Sequence, residues 1–205
     1  MTTLLLIRHA LCDPVGRSIA GRAPGVSLNE RGLQQAETLA ERLAELPISA
    51  MYSSPLERAV QTARPIAERR GLRVEQREGL NEIDFGDWTG KQLGELQLIS
   101  QWQNFNTYRS GTRIPGGETM QDVLSRTLNE LQDIVRLHSG SMVAVVSHGD
   151  VLRSIICHFL GISLDLMLRL EIEPASVSIV DLQPYGPRVL LVNGTEGWPG
   201  DLHRR

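Results

Sequence analysis

Leu4 to Ile7 forms an uninterrupted apolar run, the pattern of a strand buried on both faces of a parallel sheet. From Leu28 the period changes. Asn29 is placed as a helix N-cap, with Leu28 and Leu33 as a hydrophobic staple. Leu33, Ala36, Leu39, Ala40, Leu43 and Leu46 then recur at helical spacing until Pro47. Ser49 to Ser53 reads as a second strand. Ser54-Pro55-Leu56-Glu57 predicts a helix start, with a cap, a proline at the first helical position and a glutamate closing a capping box. Val60, Ala63 and Ala67 carry the apolar face to Gly71, and Leu72 to Gln76 is a candidate third strand.

Residues 81–117 break the periodicity with six glycines from Gly86 to Gly117. They predict a loop-rich lid within the domain, with one short helix near Leu93 to Ile99. A long amphipathic helix follows, carrying Met120, Val123, Leu124, Leu128, Leu131, Ile134 and Val135 on one face. Met142 to Val146 predicts another buried strand, and Val151 to Leu160 another helix, closed by Gly161. Val177 to Leu182 and Val189 to Val192 read as a terminal antiparallel pair. Strands alternating with helices predict an α/β fold of three layers, α/β/α, with a mostly parallel sheet and helices on both faces. At 205 residues, a single domain over 1–205 is expected.

Composition narrows the function classes. Hydrophobic residues are 41% and charged residues 22%, which excludes a disordered chain. The net charge of −3 and aromatic content of 4% argue against a nucleic-acid binder. Lys91 is the only lysine, so the positive charge is carried by arginine, whose fork suits phosphate and carboxylate. Cys12 and Cys157 form no CxxC motif, as expected of a reduced cytoplasm. No signal peptide and no membrane span is expected. The oligomeric state is not encoded in any pattern here.

His9 directly follows the first strand, and His148 follows the strand ending at Ser147. Arg58 falls in the first turn of the helix after the second strand. In an open parallel sheet these positions share the carboxyl edge, where ligands bind. A cation at a helix N-terminus is mildly unfavourable. Either an anion binds at that helix end, or Arg58 reaches solvent or pairs with Glu57. Taken singly, each histidine could equally be a structural residue. A metal site is the other use for two histidines, but no HExxH, HxH or clustered Cys/His spacing accompanies them. No metal or other cofactor is expected.

The motifs taken together point further. Leu6-Ile7-Arg8-His9-Ala10 resembles the RHG signature of the histidine phosphatase superfamily, the phosphoglycerate mutase-like group. Leu28 to Ala36 resembles its first helix, and Tyr52-Ser53-Ser54-Pro55-Leu56-Glu57-Arg58-Ala59 its second-arginine motif. Leu80-Asn81-Glu82-Ile83-Asp84-Phe85-Gly86 resembles its acid-bearing loop. Pro115-Gly116-Gly117-Glu118-Thr119 and Val145-Val146-Ser147-His148-Gly149 complete the order. The resemblance covers nearly the whole chain. It departs at Ala10, Cys12 and Val15, where the family commonly has Gly, Thr and Asn.

The resemblance implies roles. His9 would be the nucleophile that takes the phosphoryl group, and Arg8, Arg58 and His148 would clamp its oxygens, with Gly149 beside them. Glu82 would protonate the leaving oxygen and then deprotonate the attacking water, with Glu118 next in line. Gly21 and Arg22 are assigned to the pocket mouth. These roles agree with the chemistry, because a phosphomonoester dianion repels nucleophiles until guanidinium groups neutralise it. The resemblance implies a metal-independent phosphatase acting on a small phosphomonoester. A phosphoglycerate mutase and a non-catalytic phospholigand binder are the alternatives. The short middle segment speaks against the mutase, and the full set of five catalytic matches speaks against the binder.

Overall fold

The computed structural model describes residues 1–197; residues 198–205, at the end of the expected domain, lie outside the described residues. The strands are β1 (Thr2–Arg8), β2 (Ile48–Ser53), β3 (Val74–Gln76), β4 (Met142–Ser147), β5 (Val177–Gln183) and β6 (Gly186–Gly194). They form one sheet in the order β3-β2-β4-β1-β5-β6. The four strands β3, β2, β4 and β1 are mutually parallel; β5 adds antiparallel to β1, and β6 antiparallel to β5. The sheet is therefore mixed, as the apolar runs and the terminal pair predicted. Pro187 sits in the outermost strand, where the missing N–H breaks no interior ladder.

Alternate residues of the central strands feed opposite faces. Leu5, Ile7, Met51, Ala144 and Val146 pack with α1 (Glu30–Leu43) and α2 (Glu57–Arg70). Leu4, Leu6, Tyr52, Val143 and Val145 pack with α5 (Met120–Leu137) and α6 (Gly149–Leu160). Two helices between these, α3 (Leu93–Leu96) and α4 (Ser100–Thr107), lie in residues 81–117. The result is the expected three-layer α/β/α arrangement.

The register places the strand ends. Arg8 pairs with Ser147, and Ser53 pairs with Val146. Three neighbouring parallel strands thus finish at one level, and the next residues, His9, His148 and Ser54, leave the same edge of the sheet.

Several local expectations are corrected. The α1 cap is Asn29, whose side chain accepts from the Gly32 N–H, but Leu33 is half exposed and Gly32 occupies the inner face instead. A Cβ on Gly32 would come within 2.0 Å of the Leu11 carbonyl oxygen, so only glycine lets that strand-exit backbone lie against α1. Helix α2 begins at Glu57 rather than at Pro55, and its N-cap Leu56 makes no side-chain cap bond. Ser54, read as the cap, accepts the N–H of Leu56 at 3.3 Å, one residue ahead of the helix, and also meets His148. The short helix expected near Leu93 to Ile99 is α3, ending at Leu96, and a second helix, α4, follows at Ser100–Thr107 where none was expected. Residues 81–117 also contribute to the core: Ile83, Phe85, Trp88, Leu96, Phe105 and Ile114 are buried with α5 and α6. Trp88 meets Phe105 and Trp102 edge to face at 5.5 and 5.3 Å.

Candidate active site

The strand ends open into a cavity of about 240 Å³. Arg8, His9, Arg58 and Glu82 line one part of it, and Gly149, Asp150 and Arg153, from the start of α6, line another. The loop from Cys12 to Gly21, where the sequence departs from its resemblance, supplies much of the remaining wall, through Val15 and Ile19 among others, and Phe85 and Leu93 face it from 81–117. The volume lies just under the ~300–1,000 Å³ usual for drug-sized ligands, so it suits a small metabolite.

His9 is almost fully buried. Its Nδ1 lies 2.7 Å from the Ala10 carbonyl oxygen. A carbonyl can only accept, so Nδ1 carries the proton and Nε2 presents its lone pair. Arg58 Nε points at that same Nε2 from 3.4 Å. Burial first, then the charges of Arg58 and Arg8, hold the His9 pKa well below the ordinary histidine value. The imidazole is therefore neutral at pH 7, and Nε2 is available as a nucleophile.

Arg58 is 1% exposed, which disposes of a solvent-facing role. One end of its guanidinium donates to the Gly21 carbonyl at 2.8 Å, and Gly21 holds a positive φ of 52° that turns this carbonyl inward. Its Nη1 is buried with no hydrogen-bond partner among the described residues. Arg8 Nη1 donates to the Ile172 carbonyl at 2.5 Å, while its Nε is likewise buried and unpartnered.

His148 is wholly buried, its ring centroid 5.2 Å from that of His9. Its Nε2 lies 2.8 Å from the Ser54 hydroxyl, and its Nδ1 is unpartnered, 3.7 Å from Glu82 Oε2. Burial and the Arg58 charge keep His148 neutral. A neutral ring offers Nδ1 as a donor only if Nε2 accepts from Ser54.

Glu82 accepts the Ile83 N–H at 3.0 Å. Burial, reinforced by the Asp150 carboxylate, pushes its pKa up to about 7, against the opposing pull of Arg58. Asp150 itself is held down at about 2, because the attraction of Arg109 and Arg153 overcomes its burial. One carboxyl is thus a proton donor near neutral pH and the other a fixed charge.

The structure brings together Arg8, His9, Arg58, Glu82, His148, Gly149 and Gly21. It does not bring Arg22 to the cavity wall. Arg22 Nε donates to the Glu82 carbonyl at 2.7 Å, and Nη2 donates to Glu118 Oε2 at 2.9 Å. Glu118 is also not placed as an acid. It is clamped by Arg126 and Arg22 and accepts the Asp84 N–H, which together hold its pKa below the ordinary carboxyl value despite its burial. Sequence reasoning missed Ser54, Asp150 and Arg153. The last two stand three residues apart on α6, just after His148, a spacing that sets both on one helix face.

The chain matches the histidine phosphatase superfamily (branch 1) over residues 4–195. A relative named phosphoserine phosphatase 1, from Hydrogenobacter thermophilus, is 32% identical over 95% of this chain and 93% of its own. Phosphoglycerate mutase-like protein 4 of Arabidopsis thaliana is 40% identical over 74% of this chain and 68% of its own. The solved structure of Bacillus stearothermophilus YhfR superposes with a TM-score of 0.90 at 30% identity, covering 96% of this chain and 98% of that one.

Proposed function

The chain belongs to the histidine phosphatase superfamily, and on that footing we propose that it hydrolyses a small phosphomonoester, without a metal, through a phosphohistidine at His9. The reading treats the chain as one domain, with 81–117 as its partial lid. The observation that carries it is two buried guanidinium donors with no partner among the described residues, Arg8 Nε and Arg58 Nη1, beside His9 Nε2, whose lone pair meets only a long 3.4 Å bond from Arg58 Nε. A buried unpaired donor costs roughly 1–3 kcal/mol. Two such donors on arginines that line one cavity fit the oxygens of a phosphoryl group.

In the proposed reaction His9 Nε2 attacks phosphorus, and the bond to the leaving oxygen breaks. The Glu82 proton passes to that oxygen, which departs as the alcohol. Glu82, now a carboxylate, takes a proton from water as the water oxygen attacks phosphorus and the P–N bond breaks. Phosphate leaves with His9 neutral and Glu82 protonated again. Arg8 and Arg58 offset the charge on the phosphoryl oxygens at each stage.

Phosphoserine is the first substrate to test, given the name of the Hydrogenobacter relative. The mutase-like relative keeps a phosphoryl transferase as the second reading. A panel of phosphoserine, phosphoglycerates, phosphosugars, nucleotides and α-ribazole phosphate, with phosphate release and phosphoryl transfer measured separately, decides between them. Release to water from at least one member is expected. Transfer between phosphoglycerates without release overturns the hydrolase.

A further inference from the structure

Resting on the reading of Glu82 as the leaving-group acid, we propose that Arg22 is a positioning residue that ties the substrate-facing loop to that acid. Arg22 follows directly on the cavity-wall loop that ends at Gly21. Two successive residues there reach two different parts of the site: the Gly21 carbonyl holds Arg58, and the Arg22 guanidinium holds the backbone of Glu82.

The Glu82 carbonyl accepts from two arginines, Arg22 at 2.7 Å and Arg126 at 3.1 Å. They come from different parts of the chain. Arg126 belongs to α5 and also donates to the Gly79 and Asn81 carbonyls, fixing the acid-bearing turn to the scaffold. Arg22 fixes the same turn to the cavity wall. Glu118 joins the two cations, accepting from each, and binds the Asp84 N–H two residues beyond the acid. The planar guanidinium suits this bridge because Nε and Nη2 meet a carbonyl and a carboxylate at once.

Backbone links confine the wall further. Ile19 donates to the Lys91 carbonyl, Gly90 to the Ile19 carbonyl and Leu93 to the Arg17 carbonyl. The wall loop is thus tied by its backbone to residues 90–93, and Arg22 ties it to the turn that carries Glu82. The groups that set the Glu82 proton affinity are its burial, Asp150, Arg58, the Ile83 N–H and Arg8, so the effect of Arg22 lies in where Glu82 sits, not in how strongly Glu82 holds its proton. Small displacements of a catalytic group lower rate steeply.

The test compares Arg22→Ala with the parent on an alkyl phosphate and on p-nitrophenyl phosphate, whose leaving group needs little protonation. The kcat for the alkyl ester should fall at least tenfold, with KM changed less than threefold and the aryl rate largely kept. In a Glu82→Gln background the Arg22→Ala effect on the alkyl ester should vanish, because the group it positions is gone. Should the alanine variant fold poorly, Arg22→Lys, which keeps the charge but not the fork, should show the same ester selectivity in weaker form. Equal losses on both esters, no loss on either, or a loss that persists with Glu82→Gln overturns the proposal. If Glu82→Gln itself shows no ester selectivity, the acid reading fails and this inference falls with it. If Glu82→Gln is selective and Arg22→Ala is not, only this inference fails.

Discussion

Removing the acid should make the protein more stable, and by an amount that depends on pH. Burial and the Asp150 carboxylate raise Glu82 from an ordinary value near 4.5 to about 7. Below pH 4.5 the carboxyl is protonated in both folded and unfolded chains, and its ionisation affects stability in neither. As pH rises from 4.5 to 7 the unfolded chain releases the proton while the folded chain retains it, so folding is progressively penalised. Above pH 7 the penalty is complete. Roughly two and a half decades of proton affinity, at about 1.4 kcal/mol each, amount to roughly 3–4 kcal/mol in the limit, of which about 3 kcal/mol falls between pH 4.5 and 8. Glu82→Gln keeps an oxygen to accept the Ile83 N–H and cannot ionise. Urea unfolding of both proteins at pH 4.5, 6 and 8 should show the variant gaining on the parent as pH rises, by up to about 3 kcal/mol between the extremes. A difference that is flat with pH, or that moves against the variant, would show that Glu82 is not held protonated by its surroundings.

Arg58→Ala should lower kcat/KM by about 10²–10³-fold, since a buried donor to the developing charge is lost; a loss under tenfold with a good substrate contradicts the clamp. Gly32→Ala should destabilise the fold by about 1–3 kcal/mol or more, as its Cβ would meet the Leu11 carbonyl at 2.0 Å; an unchanged urea midpoint refutes the close approach. Activity should survive dialysis against EDTA, and restoration by one divalent ion after its loss would revive a metal mechanism.

The parts of the site legible in the sequence were those fixed by strand ends. His9 and His148 follow apolar runs that can only be central strands, and register then places them side by side. Arg58 was legible because a cation opposes a helix N-terminus and so implies an anion. What stayed hidden depends on tertiary partners. Ser54 does accept the Leu56 N–H ahead of α2, but its hydroxyl also meets the buried ring of His148, a second use that only the tertiary structure shows. Gly32 and Leu33 exchanged faces because a passing carbonyl excludes any side chain. Helix α4 offers only Trp102 and Phe105 as apolar positions and starts without a side-chain cap, so its periodicity is too short to read. Arg22 sits at the right place in the chain for the pocket, yet its fork finds a carbonyl and a carboxylate behind it.

The covalent step is the centre of the mechanism, and rapid quench tests it most directly. Enzyme mixed with an excess of ³²P-labelled substrate and quenched in alkali within milliseconds should carry label that is stable to base and released by acid, as a phosphoramidate is. His9→Ala should carry none. Label stable to acid, label retained in His9→Ala, or full turnover with no labelled enzyme at any time would contradict phosphoryl transfer through His9.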